Sequence, residues 1–190
     1  MGALGSGGRE PFYGRGFPRG RPAPEWGPLP CCLRAVPPMS SPLLSCGLLV
    51  IDERGEVLVG HSTGSTHWDL PKGLIEPGEL PIDCALREAQ EEFGLVFARA
   101  RLVDLGRHAY YRGKDLHLFA VRTKSAATRA ADCVCASFFD DAVTGRRLPE
   151  IDAFAWADDE TLGLRLAASM RRLLLGRGLL ARARGACGGA

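Results

Sequence analysis

Six acidic residues, one arginine and three glycines crowd into the 23 positions from Gly73 to Leu95, GLIEPGELPIDCALREAQEEFGL. Glu88, Glu91 and Glu92 stand at i, i+3 and i+4, the spacing that puts side chains on one face of a helix. Like charges so placed cost about 0.2–0.5 kcal/mol a pair. No lysine in the run offsets that cost, and Arg87 is its only base. A divalent cation would turn the repulsion into binding, because hard cations such as Mg²⁺ take oxygen ligands and serve phosphate chemistry. Three glutamates taken alone also fit a solvated acidic face, so the residues around them have to decide.

Those residues describe a turn followed by a helix. Pro77-Gly78 marks a tight turn, and Pro81 fits a first helical turn, where a missing N–H costs nothing. Ile82, Ala85, Leu86 and Ala89 recur at spacings of three and four and predict an apolar stripe. Gly94 falls where a left-handed cap would end the helix.

The full pattern is Gly73, five residues, Glu79, seven residues, then Arg87-Glu88-Ala89-Gln90-Glu91-Glu92-Phe93-Gly94-Leu95. It resembles the signature of the Nudix hydrolases. At residue frequencies of about 5–7%, seven fixed matches arise by chance on the order of 10⁻⁸ per starting position. The one departure is Ala89, where the family carries a bulkier aliphatic residue; that touches packing under the helix and leaves the acids intact. The resemblance implies an α+β fold, an α/β/α sandwich around a mixed sheet. It also implies Mg²⁺- or Mn²⁺-dependent hydrolysis of a phosphoanhydride in a nucleoside diphosphate linked to another group. It assigns Glu88, Glu91 and Glu92 as metal ligands, with the Gly73 carbonyl as a further one. Glu79 and Arg87 hold the loop and helix in place. The base that takes the water's proton is left open between a box glutamate, such as Glu91 or Glu88, and a carboxylate on a later loop, for which Glu150 is placed.

Substrate contacts are read from rarer residues. The lysines are Lys72, Lys114 and Lys124, and the first two, beside the box and at a strand start, are expected to meet phosphates as point charges. Tyr110, Tyr111 and His117 are candidates for contact with a base, with Tyr111 taken as substrate-binding; core packing is the competing reading for each aromatic. The segments WDLPKG, KDLHLFAVR and PEIDAFAW resemble the diadenosine tetraphosphate hydrolases of the superfamily and, less closely, its RNA 5′-pyrophosphohydrolases. The expected partner is therefore a small nucleotide, with an RNA 5′ end as the alternative. Nucleoside triphosphate housecleaning and a non-catalytic nucleotide-binding module are the remaining readings. The last is disfavoured because no acid of the box is missing.

The rest of the chain must position this box. Strands are expected at Leu43 to Asp52, Glu56 to His61, Leu102 to Tyr111, Leu116 to Thr123, Cys133 to Phe139 and Ala153 to Ala157, with a loop over 140–149. Asp158 is expected to cap a final helix running to about Leu175. The domain is bounded at 39–176, with 177–190 a frayed tail. Residues 1–38, rich in Gly, Pro and Arg, are expected to be a dispensable leader, because MSSPLLSCGLLVID from Met39 reads as an ordinary start. An RNA-binding role for that leader is a minor alternative.

Composition excludes other classes. A net charge of +2 gives no field that argues for a membrane surface or bulk nucleic acid. The seven cysteines are odd in number and lack any C-x-x-C pair, which predicts reduced thiols and a cytoplasmic location. No apolar run is long enough to span a membrane.

Overall fold

A computed structural model describes residues 41–188. The leader expected over 1–38 lies outside the described residues. A mixed sheet organises the remainder. Its spine is β1 (Leu43–Ile51), every residue of which from Ser45 onward is buried. Alternation splits that burial between two layers: Leu49 and Ile51 face one core, and Cys46, Leu48 and Val50 the other. A strand covered on both faces reads as a continuous apolar run, which is how LLSCGLLVI reads.

In chain order, β2 (Val57–Ser62), β3 (Trp68–Asp69) and β4 (Lys72–Leu74) precede helix α1 (Pro81–Phe93). A hairpin follows, β5 (Val103–Tyr111) with β6 (Lys114–Arg122). The sheet runs β3-β2-β1-β6-β5, with β4 paired to β1. β1 and β6 are parallel in register from Leu43↔Lys114 to Ile51↔Arg122, while β4 runs antiparallel with Gly73 opposite Cys46. β6 repeats the division of β1: Leu116, Leu118 and Ala120 face one layer, Phe119 and Val121 the other. Helix α1 covers the second layer with Cys84, Ala85, Ala89 and Phe93. Ala89 is fully buried, so the small residue lets α1 lie close on the sheet.

Four expectations are corrected. The stretch Cys133 to Phe139 is not one strand. Val134 N donates to Phe93 O at 3.3 Å and Ala136 N to Glu91 O at 2.7 Å. The segment thus meets carbonyls that the end of α1 leaves open. Only then does β7 (Phe138–Asp140) form, paired with β8 (Arg147–Pro149) inside the expected loop. β9 (Ile151–Ala157) follows at once and pairs with β2.

The final helix is broken. Asp158 caps it as expected, its side chain accepting from Thr161 N at 2.8 Å. α2 (Asp159–Arg165) ends at Leu166, which turns extended and bridges Trp68. α3 (Ala168–Arg171) then runs into a π-helical turn, Arg172–Gly176.

The expected frayed tail contains helix α4 (Leu179–Cys187), which buries Leu179, Leu180, Ala183 and Cys187 in the first core. Arg184 fastens it, donating to Gly55 O at 2.6 Å and to Asp159 Oδ1 at 2.6 Å. Helices thus cover both faces of the sheet, as the sandwich reading expects.

Candidate active site

The box folds as a loop strapped to its own helix. The turn before α1 closes with Glu79 N donating to Glu76 O at 3.1 Å. Gly94 ends the helix with φ 71° and donates to Gln90 O at 2.9 Å. Between those ends, Glu92 accepts the backbone N–H of Lys72 at 2.8 Å, and Cys84 Sγ lies 3.7 Å from Gly73 O. Gly73 passes directly beneath the Glu88 carboxylate, in space that a Cβ would occupy. Strand β4 and the two glutamates therefore lie in close contact, and a side chain at position 73 would displace the Glu88 carboxylate.

The three glutamates do not share one environment. Glu88 and Glu92, four apart, lie on the edge of the buried stripe and are themselves buried, while Glu91 is exposed. Arg87 holds the outer side together. Its Nε and Nη2 donate to Glu79 Oε1 and Oε2 at 2.9 and 3.1 Å, and Nη2 also donates to Leu74 O at 3.1 Å. Its Nη1 donates to Glu88 Oε1 at 2.6 Å and Glu91 Oε2 at 3.1 Å. The Arg87 hydrogen bonds hold the Glu79 carboxyl below the usual carboxylate range. Burial pushes Glu88 the other way, and Arg87 does not cancel it. Burial pushes Glu92 up to about 8, against the pull of Lys72.

A cavity of about 360 Å³ opens beside these acids, bordered by Asp69, Lys72, Glu92, Phe139, Glu150 and Ile151. Glu150 adds negative charge against both Glu88 and Glu92. Its own backbone is pinned, with its N–H donating to Ser137 O at 2.9 Å and its carbonyl accepting from Thr63 N at 2.9 Å. Lys72 Nζ pairs with Asp69 Oδ2 at 2.8 Å. Burial opposes the ammonium charge, but the Asp69 carboxylate outweighs it and keeps Lys72 protonated.

The fold thus gathers Lys72, Gly73, Glu88, Glu92 and Glu150. Glu91 stands on the outer side with Arg87 and Glu79. Lys114 and Tyr111 do not border the cavity: Lys114 Nζ sits 5.7 Å above the Tyr111 ring across their hairpin turn. His117 is engaged elsewhere, stacked on Phe119 at 4.8 Å and bonded to Asp104 at 2.7 Å. Tyr110 is buried in the first core. Among the cavity residues that escaped sequence reasoning are Asp69 and Phe139. Asp69 had a usable signal, an acid three residues before a rare lysine in WDLPKG; Phe139 had none.

Among the described residues, no three carboxylates, imidazoles or thiols converge into a ready-made metal cluster. The donor chemistry nevertheless fits a hard divalent cation. Glu88 and Glu92 are oxygen donors whose charge is raised in cost by burial and by Glu150, and the Gly73 carbonyl lies in the strand beneath Glu88. Arg87 supplies the positive charge on the side that Glu88 and Glu91 share.

The family model described as NUDIX domain matches residues 42–174. The asymmetrical bis(5′-nucleosyl)-tetraphosphatase of Sus scrofa is 35% identical over 72 residues, 33% of this chain and 49% of that protein. The RNA pyrophosphohydrolase of Cereibacter sphaeroides is 34% identical over 73 residues, 37% of this chain and 45% of that protein. The chain thus spans about half the length of the curated relatives it matches. Among solved structures, the NUDIX domain of Shewanella oneidensis NrtR, complexed with ADP ribose, aligns with TM-score 0.52 and 16% identity, over 75% of this chain and 88% of that one. A Caenorhabditis elegans Ap4A hydrolase binary complex aligns with TM-score 0.50 and 18% identity, over 77% and 99%. At those identities the structural likeness concerns the fold alone.

Proposed function

The chain belongs to the Nudix family, and from that premise we propose that it hydrolyses a phosphoanhydride bond in a nucleotide of the dinucleoside polyphosphate class. The observation that carries this reading is the buried pair Glu88 and Glu92, the first packed on Gly73 and the second bonded to the Lys72 N–H and bordering one cavity with Glu150. Acids kept in such costly positions suit a site that works with a cation and phosphate. Mg²⁺ or Mn²⁺ bound there would neutralise phosphate oxygens and activate water.

The residues divide the work. Glu88, Glu92 and the Gly73 carbonyl hold the cation. Glu91 would complete that set, its carboxylate accepting from the Arg87 guanidinium at 3.1 Å. Glu79 and Arg87 keep the loop against the helix. Glu150 takes the water's proton, because its carboxylate borders the cavity and has no hydrogen-bond partner among the described residues. Lys72 offers a phosphate its positive charge at the cavity wall, with Asp69 orienting it. Lys114 and Tyr111 serve at most an outer part of a long substrate, since they lie away from the cavity.

A second reading is removal of pyrophosphate from an RNA 5′ end. It is supported by an identity to RNA pyrophosphohydrolase within one percentage point of that to the tetraphosphatase. No helix among the described residues is long and apolar enough to cross a membrane. The free thiols Cys46, Cys84, Cys133, Cys135 and Cys187 fit the cytoplasmic location proposed here.

The test is a product screen over diadenosine tetraphosphate, 5′-triphosphorylated RNA, nucleoside triphosphates and nucleotide sugars. Each is assayed with Mg²⁺, with Mn²⁺ and with EDTA. Hydrolysis of diadenosine tetraphosphate that EDTA abolishes and Mg²⁺ restores is expected. Turnover undiminished by chelator, or none on any substrate, overturns the reading.

A further inference from the structure

The cavity contains one open aromatic ring among its charges. β7 and β8 make a two-stranded ribbon in which Phe138 pairs with Pro149, Phe139 with Leu148 and Asp140 with Arg147. Neighbouring residues on a strand point to opposite faces, so the two phenylalanines look in opposite directions. Both are exposed, Phe138 at 46% and Phe139 at 36%. Phe138 is already covered, with the Arg147 guanidinium 5.4 Å above its ring. Phe139 has no ring or cation stacked on it among the described residues, and it borders the cavity beside Lys72, Glu92 and Glu150. The other large apolar side chains that the described surface exposes, from Leu43 to Leu164, do not border that cavity.

We propose that Phe139 is the platform on which the nucleobase of the substrate stacks. The inference rests on the nucleotide reading above and adds where the base goes and how it is read. Flat apolar surface left open beside Lys72 and the acids that would hold a cation matches a ligand with one flat apolar end and one cation-bound anionic end. The ribbon keeps the two ends in register, because Glu150 N bonds Ser137 O at 2.9 Å, so the strand carrying Phe139 is fastened to the residue assigned to the attacking water. Stacking on a phenyl ring is tolerant, since every base has a π-face and phenylalanine has no hydrogen-bonding group. Phe139 therefore anchors the base without identifying it.

The experiment compares two non-hydrolysable ligands by calorimetry in Mg²⁺: α,β-methylene-ADP and methylenediphosphonate. They share the diphosphonate and differ by the adenosine. Phe139→Ala is expected to weaken α,β-methylene-ADP about 10-fold, the order of a lost base–aromatic stack. It should leave methylenediphosphonate unchanged, and Phe139→Trp should restore the difference. Phe138→Ala, on the other face of the same ribbon, should behave as wild type, with melting curves confirming that all variants fold. The guanosine analogue should bind within about 3-fold of the adenosine one. Equal weakening of both ligands, no weakening, or a selective loss in Tyr111→Ala in place of Phe139→Ala overturns the proposal. If methylenediphosphonate fails to bind the wild-type protein, it is the function reading that fails. If it binds and adenosine adds nothing, it is the stacking inference that fails.

Discussion

The Glu88 carboxylate rests on Gly73, occupying the place a side chain there would need. Gly73 sits in strand pairing with Cys46 of β1, so the backbone cannot retreat without breaking the sheet at its most buried strand. Gly73→Ala should therefore displace Glu88 and loosen the loop together. Overpacking of this kind costs about 1–3 kcal/mol. The expected outcome is a fall in melting temperature and a loss of most hydrolytic activity; a variant with native kcat would show that the Glu88 position does not matter.

Arg87 bonds two carboxylates on the helix, one on the loop and the Leu74 carbonyl at once. Arg87→Ala leaves Glu79 and Glu88 without their partner, and a partly buried group so orphaned costs about 1–3 kcal/mol. Stability and rate should fall together. Arg87→Lys should rescue neither, because an ammonium lacks the planar fork that reaches four acceptors. Paired melting and kcat measurements on both variants check this; full activity in the lysine variant would reduce Arg87 to a point charge.

Glu92 makes apo-protein stability depend on pH. In the unfolded chain its carboxyl loses a proton near the ordinary 4.5, and in the fold only at about 8. Between those values the folded state binds the extra proton, so stability drops as pH rises, by at most about 1.4 kcal/mol per pH unit. Gln has no charge to bury and still accepts the Lys72 N–H. In EDTA, Glu92→Gln should melt like wild type near pH 4.5 and increasingly above it toward pH 8. Parallel melting curves across the range would contradict the buried-acid geometry.

Among the described residues Glu150 makes no side-chain hydrogen bond; its backbone N–H and carbonyl do that work. Glu150→Gln should leave the melting temperature unchanged and lower kcat at saturating Mg²⁺ by about 10²–10⁴, the usual contribution of a general base. Unchanged kcat would return the base to one of the glutamates on α1.

The C-terminal segment is part of the core, since Leu180 is 1% exposed beneath α4. Leu180→Ala should destabilise by about 2–5 kcal/mol, read by chemical denaturation. A change below 0.5 kcal/mol, roughly the scatter of surface substitutions, would mean that α4 is not packed as described.

What the sequence determined is local. Turn, helix start, cap and acid spacing from Gly73 to Gly94 lie within a few helical turns, where periodicity and the conformational limits of Pro and Gly act directly. The strands of the β5–β6 hairpin and β1 were legible for the same reason, as apolar runs between turn residues. The tertiary structure decided which helix side is buried: the same spacing gives Glu88, Glu91 and Glu92 one broad face, and packing of α1 on β1 sank two of them and left Glu91 outside with Arg87. It also decided the partners of backbone groups. The Cys133 to Phe139 run has strand composition but meets the open carbonyls of α1, and Leu166 leaves its helix for Trp68. The Ala- and Arg-rich tail read as frayed because a short helix shows little periodicity, yet Leu179, Leu180, Ala183 and Cys187 found a face of the sheet left open for them. Glu150, Asp69 and Phe139 come from separate stretches of chain, and only the folding of those stretches around β2 and α1 brings them to one cavity.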